Sequence, residues 1–133
     1  MKNFFSVTNF LPTVVKPPTE EGLAEFRDII AGIKASGGAD CPELAFTGML
    51  NALNHFPHPG SSMFVFTDAS PKDATPANVE QVLNIAKGLD IKISFFVSLR
   101  SCVGLPDYSQ FNHIAAETNG KIKVILYSNI CKH

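Results

Sequence analysis

The residue most clearly suited to a chemical role is Asp68, a carboxylate that directly follows the mostly apolar run Met63–Thr67. An acid at the end of a buried strand can coordinate a divalent cation, act as a nucleophile or bind local backbone amides. A second acid, Asp40, is interpreted as the N-cap of a capping box completed by Glu43. Pro42, in the first turn of the segment that follows, favours the capping interpretation.

From Met63 onward, the sequence alternates between predicted strands and helices. Thr75 followed by Pro76 predicts a helix start, and the nearby Asp73 is interpreted as an acid at that same helix start. The predicted elements are the strands Met63–Thr67, Ile91–Leu99 and Lys121–Tyr127, a helix after Thr75, and a helix Asp107–Thr118 that Asn119-Gly120 ends. This alternation predicts an α/β fold: a doubly wound, mostly parallel sheet with helices on both faces.

The first half of the chain has weaker signals. Asn3–Phe10 reads as a strand, and Thr13–Lys16 as a short antiparallel strand at the sheet edge, giving five strands at most. Thr19 is the predicted cap of a helix, and Pro42–Asn54 the next helix. One face of the helix after Thr19 is apolar and consists of Leu23, Phe26, Ile30 and Ile33.

These elements place the candidate site residues at one edge of the sheet. In open α/β sheets, ligand sites lie beyond the carboxyl ends of the strands. We therefore expect the loop with Asp68 and Ser70, the loop with Arg100 and the loop with Asp40 to converge on one rim. There, Arg100 would neutralise a rim acid or contact an acidic partner.

Composition bounds the function. A chain of 133 residues is long enough for one domain with a real core. The formal net charge of −1 and the dispersed basic residues argue against a nucleic-acid surface. No apolar run approaches the roughly 20 residues of a membrane helix, and Pro12 interrupts the N-terminal apolar segment, so we see no clear signal peptide.

Three motifs carry a resemblance to a known family. "GGADCPE" (Gly37–Glu43), "MFVFTDASPKD" (Met63–Asp73) and "HIAAETNGKI" (His113–Ile122) resemble the von Willebrand factor A domain, specifically its hemicentin-like branch. The resemblance extends from about Phe4 to Tyr127. It implies that residues 1–133 form a single, partial domain of this three-layer fold, which lacks the first strand and helix at its N-terminus.

The resemblance also implies a degenerate metal site. Asp68 matches the acid that this family places after its fourth strand, and Asp40 matches the position of the second ligand loop. The Asp-x-Ser-x-Ser motif of the first ligand loop is absent. We therefore expect a divalent cation (Mg²⁺, Mn²⁺ or Ca²⁺) to bind weakly or not at all, and we expect the sheet to pair with a missing segment or another chain.

The implied function is a non-enzymatic, protein-binding module of an extracellular adhesion or matrix protein, which contacts an acidic side chain of its partner through the loop rim. In an extracellular setting, Cys41 and Cys102 are candidates for a disulfide between two rim loops. One alternative is an intracellular scaffold of the same fold. Another is a phosphoacceptor-like enzyme domain with Asp68 as nucleophile, which is disfavoured because Arg100, rather than a lysine, follows the next strand.

Overall fold

A computed structural model of the chain describes residues 14–34, 43–98 and 106–125. These residues contain four helices and three strands. In chain order they are α1 (Glu20–Gly32), α2 (Ala45–Leu53), β1 (Ser62–Thr67), α3 (Pro76–Gly88), β2 (Lys92–Ser98), α4 (Ser109–Glu117) and β3 (Ile122–Ile125). The predicted strand Asn3–Phe10 lies outside the described residues. No helix within the described ranges is long and apolar enough to cross a membrane.

The three strands form a parallel sheet in the order β1-β2-β3. Val65 of β1 lies opposite Phe95 of β2, and Phe95 lies opposite Ile122 of β3. Each connection between neighbouring strands contains a helix, as parallel strands require. The prediction of an α/β fold with a parallel sheet is therefore confirmed.

The core lies between one face of this sheet and the helices α2, α3 and α4. Phe111 of α4 is fully buried at its centre, and its ring stacks 4.6 Å from that of Phe95 and 6.2 Å from that of Phe46. Stacked rings add to the free energy gained by burying apolar surface. On the opposite face of the sheet, Phe64 and Phe66 are largely exposed among the described residues.

The two predicted threonine caps are confirmed. The hydroxyl of Thr19 accepts a hydrogen bond from the Gly22 amide at 3.1 Å, at the start of α1. The hydroxyl of Thr75 accepts one from the Asn78 amide at 3.2 Å, at the start of α3, where Pro76 is the first helical residue. Both bonds satisfy amides that have no partner inside the helix.

Two predictions for the first half of the chain are wrong. Residues 14–16 of the expected edge strand Thr13–Lys16 form no strand; Pro17 and Pro18 follow at once, and the Pro17 carbonyl accepts a hydrogen bond from the Thr19 amide as the chain turns into α1. The helix expected from Pro42 begins at Ala45, because Glu43 is engaged in backbone pairing described below.

The turn between α4 and β3 confirms the predicted stop at Asn119-Gly120. Asn119 has a φ of 56°, and the Gly120 amide donates to the Ala115 carbonyl at 2.8 Å. The backbone at Gly120 approaches β2 so closely that only glycine fits. A Cβ atom at this position would lie 1.8 Å from the carbonyl oxygen of Ile93.

We predict that Gly120→Ala lowers the free energy of unfolding by about 1–3 kcal/mol, the usual cost of forcing atoms into packed structure. Gly88→Ala is the matched control, because a Cβ atom there meets nothing within 4 Å and alanine favours the helix. Urea unfolding followed by circular dichroism measures both. Equal stability of the two variants would contradict the close approach of Gly120 to β2.

Candidate functional site

The candidate site is the rim at the carboxyl ends of β1 and β2. Asp68 directly follows β1 and is half-buried, and Ser70 is half-buried two residues later. Ser98 is the last residue of β2, the strand next to β1 in the sheet, and it is buried. The rim therefore combines a carboxylate, hydroxyl groups and the last carbonyls of two parallel strands.

Side-chain hydrogen bonds hold the loop that follows β1. The hydroxyl of Thr67 accepts from the Ala69 amide at 3.2 Å and lies 3.2 Å from the Ala69 carbonyl, to which it donates. The hydroxyl of Ser70 accepts from the Asp107 amide at 2.8 Å, just before α4. Ser70 thus joins the loop after β1 to the segment that leads into α4, and so fixes the position of the rim.

Asp107 is exposed and begins the approach to α4. Its carboxylate accepts from the Ser109 amide at 2.9 Å. This backbone hydrogen bond, and then a further one from the Ser109 side chain, hold the pKa of Asp107 below its ordinary value, because they favour the charged carboxylate. Asp107 therefore adds a negative charge to the rim beside Ser70.

The chain before α2 runs alongside the same loop. The Glu43 amide donates to the Ser70 carbonyl at 2.9 Å, and the Lys72 amide donates to the Glu43 carbonyl at 2.8 Å. These two bonds form a parallel bridge between Glu43 and Pro71. The segment that follows Asp40 in sequence therefore lies next to the loop that follows β1.

Asp73 fixes the start of α2. It is buried, with 8% of its surface exposed. Its carboxylate accepts from the Phe46 amide at 3.0 Å, from the Thr47 amide at 2.6 Å and from the Thr47 hydroxyl at 2.7 Å. A carboxylate at the positive end of a helix is favourable, and here it occupies the place of an N-cap side chain.

Two sequence-based interpretations are therefore wrong. The N-cap residue of α2 is Leu44, whose side chain makes no capping bond, and Glu43 lies before the helix in the parallel bridge, so Asp40 is not the N-cap of α2. Asp73 does not serve the helix that follows it. Its carboxylate caps α2, while only its backbone carbonyl contacts α3, through the Asn78 side chain at 2.8 Å.

Tyr108 also lies at the rim, and no sequence pattern pointed to it. Its hydroxyl donates to the Ser98 carbonyl at 2.6 Å, at the end of β2. Partial burial raises the pKa of Tyr108, and the negative charge of Asp68 raises it further. Asp68 follows the end of β1 and the Tyr108 hydroxyl bonds to the end of β2, so both lie on the same rim.

The predicted site residues fall into two groups. Asp68 and Ser70 lie at the rim as described. Asp40, Arg100, Cys41 and Cys102 lie outside the described residues.

The described part of the rim is a poor match for a divalent cation. It includes the carboxylates of Asp68 and Asp107 and the hydroxyl of Ser70, and the described residues contain no group of three or more His, Cys, Asp or Glu side chains that could hold a metal ion. Ca²⁺ takes six to eight oxygen ligands, and Mg²⁺ takes six, several of which are commonly waters. The described residues therefore do not form a complete cation site by themselves.

Comparison with known proteins identifies the same family that the sequence motifs resemble. A family model described as the von Willebrand factor A domain matches residues 2–127. The chain is 44% identical over 66 residues to the human (Homo sapiens) von Willebrand factor A domain-containing protein 7, and 42% identical to the mouse (Mus musculus) protein of that name. The matched segment is 50% of this chain and 7% of the length of each relative.

We predict that Asp73→Ala lowers the free energy of unfolding by about 2 kcal/mol, because two helix amides and a hydroxyl lose their acceptor. Asp28→Ala, an acid on the exposed surface of α1, is the control and is expected to change stability by less than about 0.5 kcal/mol. Urea unfolding measures both. A neutral Asp73→Ala would show that this carboxylate does not hold α2.

We predict that Asp68→Asn lowers the pKa of Tyr108, because the phenolate no longer forms beside a negative charge. The pKa stays above the ordinary tyrosine value, since burial, the larger cause, remains. The titration is followed by ultraviolet absorbance in a Tyr127→Phe background, where Tyr108 is the remaining tyrosine of the two in the sequence. An unchanged midpoint would place Asp68 away from this hydroxyl.

Proposed function

Because the chain belongs to the von Willebrand factor A domain family, we propose that it is a non-enzymatic protein-binding module whose contact surface is the rim around Asp68 and Ser70. Domains of this family generally serve as protein-interaction modules. The observation that supports the rim is its construction: hydrogen bonds from the start of α2 and from the segment before α4 converge on Ser70 and Asp73. A rim held in this way keeps its shape when a partner binds, which reduces the entropic cost of association.

The partner that we propose is a protein that presents an acidic side chain. Two groups of this chain could receive it: a weakly held divalent cation at Asp68 and Asp40, or the guanidinium of Arg100 in place of the cation. Charge-assisted hydrogen bonds to a carboxylate are stronger than neutral ones, so either group would give the contact its specificity. The absence of an Asp-x-Ser-x-Ser motif from the sequence supports the cation-free mode as the main one.

We further propose that the module works outside the cell, as part of an adhesion or matrix-type protein. The sequence resemblance to the hemicentin-like branch supports this placement, and Cys41 and Cys102 are the proposed disulfide partners. Peptide mapping of the chain under non-reducing conditions tests the pairing. A chain that is isolated from its natural source with all three cysteines reduced would favour the intracellular scaffold instead.

We predict a small effect of divalent cations on thermal unfolding. Binding to the native state stabilises by an amount set by the ratio of cation concentration to Kd, which is only about 0.4 kcal/mol when the two are equal. With millimolar Mn²⁺ or Mg²⁺ we therefore expect little change in melting temperature. A large rise that Asp68→Ala abolishes would overturn the weak-site proposal and show that the rim holds a cation.

The proposed binding function is tested by comparing the proteins that the wild-type chain and two variants retain. Immobilised wild-type chain, Asp68→Ala and the control Glu80→Ala, an exposed acid on α3, are exposed to extracellular-matrix extract, with and without a chelator. We expect a set of proteins that wild type and Glu80→Ala retain and Asp68→Ala loses at least tenfold. Identical retention by all three would contradict a function of the rim in binding.

A further inference from the structure

The turn between α4 and β3 contains the only Asn-Gly pair of the sequence, Asn119-Gly120. The backbone nitrogen of the residue after an asparagine can attack the carbonyl carbon of the asparagine side chain. A following glycine hinders this attack least, because it has no side chain. Asparagine is for this reason among the thermolabile residues of proteins. Asn119 is exposed to water, which is the second reactant of this chemistry.

The reaction is deamidation, and it proceeds through a ring. The Gly120 nitrogen gives up its proton and bonds to the side-chain carbonyl carbon of Asn119, and the side-chain nitrogen takes up a proton and leaves as ammonia. This step closes a succinimide ring. Water then opens the ring at either of its carbonyl carbons. One opening gives an aspartate, and the other gives an isoaspartate, in which the main chain runs through the former side chain and is longer by a methylene group.

The folded turn opposes the closure of this ring. Asn119 has a φ of 56°, in the left-handed region, where ψ is roughly +30 to +60°. Ring closure requires a negative ψ at Asn119, because the Gly120 nitrogen must turn toward the side-chain carbon. The Gly120 amide also donates to the Ala115 carbonyl at 2.8 Å, and it loses this hydrogen bond when it gives up its proton. The ring therefore closes after the turn has opened.

Hydrogen bonds to β2 hold the turn on both sides. On the α4 side, the buried hydroxyl of Thr118 accepts from the Ile93 amide at 3.1 Å. On the β3 side, the Lys121 amide donates to the Ser94 hydroxyl at 3.1 Å, and the Lys121 carbonyl accepts from the Phe95 amide at 2.8 Å. The turn can therefore open only when it separates from β2, which is a local unfolding event.

We propose that Asn119 is a deamidation site and that the docking of its turn against β2 controls the reaction. Each transient opening allows the ring to close, and each return to β2 prevents it. The isoaspartate product cannot dock again, because a longer main chain does not fit where a Cβ atom at Gly120 would already lie 1.8 Å from the Ile93 carbonyl oxygen. Deamidation thus makes a reversible opening permanent. The turn lies at the amino end of β3, away from the rim, so the inference goes beyond the proposed function.

The first test compares the rate of deamidation at Asn119 in the folded and the unfolded chain. Peptide mapping by mass spectrometry follows the full chain at mildly alkaline pH, with and without urea. We expect the reaction in native buffer to be at least about tenfold slower than in urea, because the turn opens only transiently. Asn54, an exposed asparagine followed by His55, is the internal control and should react more slowly than Asn119 in urea. Equal rates at Asn119 in both buffers, or a faster reaction at Asn54 in urea, would overturn the proposal.

Variants of the docking bonds show whether β2 controls the reaction. Thr118→Val keeps the shape of the side chain but removes its hydroxyl, and Ser94→Ala removes the acceptor of the Lys121 amide. Both should speed deamidation of Asn119 in native buffer and leave the rate in urea unchanged. The matched control is Thr75→Val, which removes the hydroxyl that caps α3 and should not speed the reaction. Equal acceleration by Thr75→Val would place the control in global unfolding, and no acceleration by either docking variant would exclude control by β2.

A final measurement tests whether the opening becomes permanent. The chain is deamidated in urea, the isoaspartate form is separated by chromatography and returned to native buffer, and its urea unfolding is compared with that of wild type. We expect a lower midpoint for the isoaspartate form. Asn119→Asp is the control, because it brings the same new charge on a main chain of normal length and aspartate also adopts left-handed backbone. An isoaspartate form as stable as Asn119→Asp would show that the longer main chain still docks against β2, and would overturn the proposal.

Discussion

The buried carboxylate of Asp73 is the constraint on which the described structure depends. A buried charge is tolerated when hydrogen bonds replace its lost water, and the amides of Phe46 and Thr47 supply them at the positive end of α2. The loop after β1 is thereby fixed to the start of α2. Its neighbour Glu43 then pairs with this loop, and Ser70 is held where it reaches the segment before α4.

The sheet presents three chemically different surfaces as a result. One face packs Phe95 under Phe111 and forms the core with α2, α3 and α4. The carboxyl edge is polar and carries Asp68 after β1 and the Tyr108 hydroxyl, which bonds to the Ser98 carbonyl at the end of β2. The other face is aromatic and bordered by lysines. A polar rim and an apolar face suit different kinds of contact.

The features that could be predicted from sequence are the local ones. Thr19 and Thr75 cap their helices by bonds to amides three residues away, and Asn119-Gly120 ends α4 through bonds within one turn. The alternation of strands and helices after Met63 predicted the parallel sheet, because a crossover helix is needed between parallel strands. The position of Asp68 at a strand end followed from the same pattern, and so did its place on the rim.

The sequence by itself thus determined the order of the elements, most of their ends and the presence of an acid at the end of β1. The tertiary structure decided which helix Asp73 caps, that Glu43 pairs with the loop after β1, and that the Tyr108 hydroxyl bonds to the end of β2 at the rim. The bond of Asp73 joins residues 26 and 27 positions apart in the chain. Sequence spacing carries no information about such pairs, because they meet only after the sheet and its helices have packed, and the requirement to satisfy each buried polar group then selects the partner.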